Sequence, residues 1–386
     1  MRSGLSRAAF AFAAAVIVFQ FACPLVIAIQ GPRLATGTFA TQSDAARYRT
    51  IVETPGTPYR DFQVEYPPLA LGLFRALGPA NFGGFRQRLL AIDIACQALV
   101  VFLLFRIWGT RAGWSYLVLS TPMLFIAYVG FDLVGVALAV SAAACVRRKR
   151  PVAGAVGFIV GAFTKLWPVV LLPVLLVRRQ ARAFGTGVAV GVAGLAAWTV
   201  WGGTAAIGQV LTYRAARGWE YESLPGSVLR LVGGDALRFS RGSWRVGDPP
   251  RLLTASITVV LIGVVGGIWW LAMRRPALPE GMAETAAVTS LLVFGTLLSP
   301  QFLIWPLPFV AIGAASGATR LERWAGAAAV LTLLDWILFD PHHPGLVLSE
   351  TVILGRNVAL VGLLVVALIE VRRVAPTPEA GYQHVS

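Results

Sequence analysis

The chain has 386 residues, of which 57% are hydrophobic and only 13% charged. A soluble domain of this size carries about 25% charged residues, so the composition excludes an ordinary water-soluble protein. The formal net charge of +15 comes mostly from arginine. Lysine occurs only at Lys149 and Lys165, a usage that fits a GC-rich bacterial genome.

The apolar residues come in runs long enough to cross a hydrocarbon core roughly 30 Å thick, which takes about 20 helical residues. Only helices and closed barrels satisfy their backbone in lipid, and these runs are continuous rather than alternating, so helices are expected. The segments fall at 8–29, 89–107, 113–128, 132–146, 152–164, 167–177, 183–202, 252–273, 282–298, 302–317, 324–340 and 351–371. The first follows Arg2 and Arg7 as a secretion signal would. It is too long for a signal core and no convincing cleavage site follows, so it is read as a retained anchor. Several segments are short, and Pro122, Pro168, Pro173 and Pro306 interrupt or bound others. The expected fold is therefore an all-α polytopic membrane protein of about 10–12 spanning helices, residues 1–373 forming one domain. Cys23, Cys96 and Cys145 lie inside apolar runs without metal-ligand spacing and are read as buried filler.

Basic residues in short loops set the orientation. Arg106 and Arg111, then the clusters at 147–150, 178–182, 274–275, 320–323 and 372–373, each lie at or beyond the end of an even-numbered segment. With Arg2 and Arg7 they place both termini, including a tail at 374–386, on the cytoplasmic side of a bacterial plasma membrane. Two long loops, about 30–88 and 203–251, then face outward; long loops are largely exempt from the charge rule. Most residues capable of chemistry gather on that outer side. No glycine-rich phosphate loop or nucleotide fingerprint is present, so neither a cytosolic nucleotide nor a nucleic-acid partner is expected.

In the first loop, Asp44 and Tyr48 are four apart and would share a helical face. A carboxylate at the membrane surface beside aromatic rings suits a general base for a sugar hydroxyl, against the plainer reading of a solvated loop acid. Tyr66-Pro67-Pro68 presets an extended turn before an apolar helix. Asp61 and Glu65 lie close to that turn and compete with Asp44 for the role of base. In the second loop, Arg214 and Arg217 would share a face and suit a fork around phosphate; they equally suit lipid headgroups or pairing with Glu220 and Glu222. Trp219 and Tyr221 fit an interfacial aromatic belt or a sugar-stacking platform. Lys165, near the outer end of a short helix, either snorkels or meets an anion. Asp93 and Asp132 lie near outer helix ends and could orient cations, while Asp335 lies deeper and needs a partner.

Asp44, Tyr59-Arg60-Asp61-Phe62 and Glu65-Tyr66-Pro67-Pro68-Leu69 resemble the first loop of the polyprenyl-phosphate-sugar-dependent glycosyltransferases of family 87. These are GT-C-type enzymes that include actinobacterial mannosyltransferases. Lys165-Leu166-Trp167-Pro168 resembles the family's lysine–proline element, and Ser299-Pro300-Gln301-Phe302-Leu303-Ile304-Trp305 resembles its Ser-Pro-Gln element. The resemblance implies a GT-C-like bundle with two long extracytoplasmic loops. It also implies inverting transfer of a mannose-like sugar from a polyprenyl-phosphate donor to a lipid or cell-envelope glycan, on the outer side and among membrane lipids. By the same resemblance Asp44 would be the base and Lys165 and Gln301 would meet the donor phosphate, where Arg214 and Arg217 would join them on the strength of their own spacing. Tyr48, Arg60, Asp61, Glu65 and Tyr66 would position loop and acceptor. Asp340, His342 and His343 could ligate a metal, but adjacent residues rarely point the same way. The histidines are therefore read as donors to the phosphate, and no metal or cofactor is expected. The competing reading is a transporter or lipid flippase; a third is a non-catalytic envelope-assembly subunit. Against transport, no repeat relates the halves and no chain of ionisable residues crosses the midplane.

Overall fold

The computed structural model describes residues 11, 14–20, 22, 24, 26, 44–78, 81–212, 218–233, 236–240, 243–338 and 347–375. Helices fall on every expected apolar segment. Proline decides where several of them break. The first loop is itself helical, with α1 (Asp44–Glu53) and α2 (Pro68–Leu77). Pro68 sits in the first turn of α2, where a missing N–H goes unnoticed. Helix α3 (Phe82–Leu103) begins earlier than the apolar run because the Asn81 side chain caps it, accepting from the Gly84 N–H at 2.8 Å. It runs on into a π turn, Leu104–Trp108. Helix α4 (Thr110–Ser120) gives way at Pro122 to a 3₁₀ turn.

Helix α5 (Asp132–Arg147) packs along α6 (Pro151–Thr164). Beyond a break come the 3₁₀ stretch Trp167–Leu171 and one turn at Val174–Val177, then α7 (Ala181–Gly202). The tight turns that follow α5 and Val174–Val177 place Lys149 and Arg179 in left-handed backbone, at φ 59° and 56°. The second long loop carries α8 (Ala206–Thr212), α9 (Leu224–Gly233) and a small antiparallel sheet in the order β1-β3-β2. Its strands are β1 (Trp219–Glu220), β2 (Arg238–Ser240) and β3 (Ser243–Val246), with Trp219 opposite Val246 and Phe239 opposite Trp244. This sheet departs from a wholly helical expectation; strands of two to four residues without alternating burial are too short a pattern to read in a sequence.

Helices α10 (Arg251–Met273), α11 (Met282–Phe294), α12 (Leu307–Ala315), α13 (Arg320–Leu338) and α14 (Val347–Arg373) complete the bundle, α13 packing along α14 and α14 against α11. Among the described residues four helical segments are long and apolar enough to cross a membrane: Gly83–Trp108, Ala181–Gly202, Arg251–Met273 and Val347–Arg373. Most of the shorter apolar helices pack between them in one large core, while Pro68–Leu77 packs in a second cluster with Tyr48, Phe85 and Phe131.

Helix α5 defines two poles, because it starts at Asp132 and ends at Arg147. At the Arg147 end, Glu280 gathers Arg147 at 2.8 Å, Arg178 at 3.2 Å and the Trp108 indole N–H at 2.7 Å. At the Asp132 end the first loop folds onto the bundle through aromatic rings. Tyr48 stacks on Phe74 with centroids 4.4 Å apart, and Phe131 meets Tyr48, Tyr66 and Phe74 edge-on at 5.1–5.6 Å. Such pairs contribute roughly 0.5–1.5 kcal/mol each beyond area burial.

Candidate active site

Two helix breaks build the site. Pro168 has no N–H to offer the Thr164 carbonyl, and its ring would clash there, so α6 stops. Lys165 is consequently extended, at φ −152° and ψ 107°. In the same way Ser299 is extended (φ −93°, ψ 146°) and Pro300 opens a 3₁₀ turn, Pro300–Ile304. The breaks face each other. Trp167 stacks on Trp305 with centroids 5.4 Å apart and planes 11° from parallel, and Phe302 stacks on Trp305 at 4.3 Å. Irregular backbone at membrane depth persists where it is buried in protein or lines a polar cavity, which fits this arrangement.

Lys165 Nζ lies 2.5 Å from Asp132 Oδ1, and the Trp305 indole N–H donates to the same oxygen at 2.6 Å. The ammonium also sits over the rings of Phe131, Phe302 and Trp305, at 4.4, 5.0 and 5.7 Å from their centroids. A buried ion pair offsets its desolvation only when further polar contacts and aromatic faces support it, as they do here. Asp132 is wholly buried, yet its second oxygen has no hydrogen-bond partner among the described residues; the same holds for the Trp167 indole N–H. Asp93, also wholly buried and within electrostatic reach of Asp132 and Lys165, has neither oxygen bonded among the described residues.

The first loop closes over this pair. Asp44 Oδ1 is 2.5 Å from Arg47, one turn along α1, and Asp44 Oδ2 accepts from the Gln301 amide at 3.1 Å. That second contact joins positions 257 apart in sequence. Arg47 also pairs with Glu65 at 3.2 Å and donates to the Tyr66 hydroxyl at 2.7 Å. Burial, then the charge of Asp44, pushes the Tyr48 phenol well above its ordinary range, so it stays neutral. Asp44, Arg47 and Lys165 keep 20%, 24% and 14% of their side-chain surface exposed. The reactive groups are thus reachable while their supports are buried.

Asp44, Tyr48, Glu65, Tyr66, Gln301 and Lys165 therefore come together. Arg60 and Asp61 have a different place. Arg60 donates to the Val200 carbonyl at 2.6 Å and Asp61 accepts from the Thr57 N–H at 2.6 Å. They hold a turn in which Tyr59 adopts φ 71°, its carbonyl accepting from Gln209 at 2.6 Å. Arg214, Arg217, Asp340, His342 and His343 lie outside the described residues. Trp219 and Tyr221 are buried rather than displayed, the Trp219 N–H donating to Thr254 at 3.1 Å. Glu220 ties the second loop to the second break: its N–H donates to the Thr296 carbonyl at 3.0 Å and its carboxylate accepts from the Ser299 hydroxyl at 3.4 Å. Asp335 finds its partners in Arg356 and Ser349, each at 3.2 Å. Arg47 was the residue missed in the sequence, although its spacing of three from Asp44 was the signal.

The family model of glycosyltransferase family 87 matches residues 64–300, more than half of the chain. The chain belongs to glycosyltransferase family 87. No curated protein matches it. For this membrane glycosyltransferase a sugar donor and an acceptor in the membrane follow from the family. The matched span takes in Glu65, Tyr66, Asp132 and Lys165, while Asp44 precedes it and Gln301 directly follows it.

Proposed function

We propose that this glycosyltransferase moves a mannose-like sugar from a polyprenyl-phosphate donor to a lipid or cell-envelope glycan on the extracytoplasmic side, with inversion and with Asp44 as general base. The observation that carries this reading is the contact of Asp44 with Gln301 above the Lys165–Asp132 pair. It supports a site in which a base and a cation, drawn from three separate sequence elements, face one reacting centre. Asp44 takes the proton of the acceptor hydroxyl. The hydroxyl oxygen bonds to the anomeric carbon from the face opposite the phosphate, and the bond from that carbon to the phosphate oxygen breaks. Polyprenyl phosphate leaves as an anion, which Lys165 meets with the ammonium hydrogens not given to Asp132. A carboxylate offers about four acceptor positions, so support from Arg47 and Gln301 is compatible with taking a proton. Arg47 and Gln301 fix its direction, and Glu65 and Tyr66 fix Arg47.

The test is transfer from radiolabelled polyprenyl-phosphate mannose to membrane-derived acceptors by purified protein, wild type against Asp44→Asn. Transfer by the wild type and its loss in the variant are expected. Equal transfer by both would remove Asp44 as base. No transfer by the wild type from a panel of polyprenyl-phosphate sugars would overturn the donor class.

A further inference from the structure

Among the described residues, polar side chains gather at three places that bear on binding: at Glu280, at Arg356 and around Lys165. The knot at Glu280 is tied to Arg147, Arg178 and Trp108, and the Arg356 cluster satisfies its own members. The third, beneath Lys165, holds polar atoms that the protein leaves without partners. Asp132 Oδ2 and the Trp167 indole N–H are both buried and have no hydrogen-bond partner among the described residues. An orphaned buried group costs about 1–3 kcal/mol, so two on neighbouring residues, joined through Trp305, which stacks on Trp167 and donates to Asp132, call for a ligand that completes them.

We propose that Asp132 and Trp167 form the subsite for the sugar ring of the donor, and so act as specificity-determining residues of this enzyme. The inference rests on the donor reading above and adds which residues recognise the transferred hexosyl group. Chemistry identifies the occupant. A carboxylate oxygen only accepts and an indole N–H only donates. A phosphate oxygen would satisfy Trp167 but would be repelled by Asp132, whereas a sugar hydroxyl donates to one and accepts from the other. The surroundings agree. Trp305, Phe302 and Trp167 form a stacked aromatic group beside the carboxylate, walls of the kind whose edges a pyranose ring packs against.

Position agrees as well. Lys165 bonds the first oxygen of Asp132 at 2.5 Å, so the second lies within one sugar's width of any phosphate that Lys165 holds. Two glycines keep the approach clear. A Cβ on Gly135 would stand 3.1 Å from the Trp167 indole nitrogen, and one on Gly130 would stand 3.1 Å from Asp132 Oδ2.

The discriminating variant is Trp167→Phe, which removes an N–H that no described residue uses, together with part of the buried ring, and keeps an aromatic face against Trp305; the ring loss weakens both lipids alike, so the readout is the difference between them. A purely structural tryptophan predicts no such difference. The subsite predicts at least a fivefold rise in Kd for polyprenyl-phosphate mannose, with Kd for polyprenyl phosphate, which lacks the sugar, within twofold of wild type. Gly130→Ala crowds Asp132 Oδ2 without touching Trp167 and should give the same selective loss; it decides the matter if Trp167→Phe does not fold. Unchanged binding of both lipids, or equal weakening of both, overturns the subsite while leaving the donor reading in place. A wild-type protein that binds neither lipid overturns the donor reading, and the subsite with it.

Discussion

Two buried polar clusters of this glycosyltransferase use the same groups to opposite ends. Around Arg356, the guanidinium meets Glu222 at 3.1 Å and Asp335 at 3.2 Å; the Asn357 amide donates to Ser227 at 2.9 Å, and Ser349 donates to Asp335. Each of these side chains is bonded within the cluster, which fastens the second loop to α14. Around Lys165 the ion pair is shorter, at 2.5 Å, but Asp132, Asp93 and Trp167 keep polar atoms without partners among the described residues. A closed network is scaffold. An incomplete one, beside reachable groups, is where a substrate would finish the bonding.

The contrast can be broken most forcefully at Asp44. Asp44→Asn is expected to lower kcat by roughly 10²–10⁴-fold, the range for loss of a general base, with the melting temperature nearly unchanged. A large loss of stability instead would make Asp44 scaffold too. Arg356→Ala should behave in the reverse way, costing about 3–5 kcal/mol in unfolding experiments because two buried carboxyls lose their cation. Retained stability there would erase the distinction.

A pH series sharpens it further. Burial, and then Asp335, pushes the Glu222 carboxyl well above its usual range against the pull of Arg356. A carboxyl raised in the folded state contributes stability that is fully present below its ordinary value and is lost as pH rises through the raised one. The melting temperature should therefore fall on alkalinisation, and Glu222→Gln should flatten that slope. Gln301→Ala removes one hydrogen bond to Asp44, and about 1 kcal/mol of transition-state stabilisation, near fivefold in kcat/KM, is expected. Smallest is Glu322→Gln, whose partner Arg111 is exposed; calorimetry should register less than about 1 kcal/mol.

Much of this layout was legible in the sequence, for identifiable reasons. Pro168 marked the break at Lys165, since the consequence of a missing N–H is local, whereas Pro300 stood out only through its motif. Asp44, Lys165 and Gln301 could be singled out by their motifs. That Gln301 reaches Asp44, or that Trp167 stacks on Trp305, depends on how distant helices pack, which no local pattern records. Helix α1 gave little signal beyond the Asp44–Tyr48 spacing, because DAARYRTIVE is half polar and buries only Ala45 and Tyr48. Asp335 could be seen to need a partner, yet Arg356 lies 21 positions away on the next helix.

The left-handed residues Lys149 and Arg179 carry a last consequence. Glycine adopts such a turn without penalty, whereas any residue with a Cβ gives up about 1–2 kcal/mol there. Both turns nonetheless place a cation at that position, within the basic clusters at 147–150 and 178–182. Turn geometry has yielded to charge at this pole. Each such cation near an anionic leaflet is worth about 1 kcal/mol of attraction, enough to balance the strain. Were this pole to rest on an anionic leaflet, the hairpins would be firmer in an anionic bilayer than in neutral detergent, a difference that melting temperatures in the two would register.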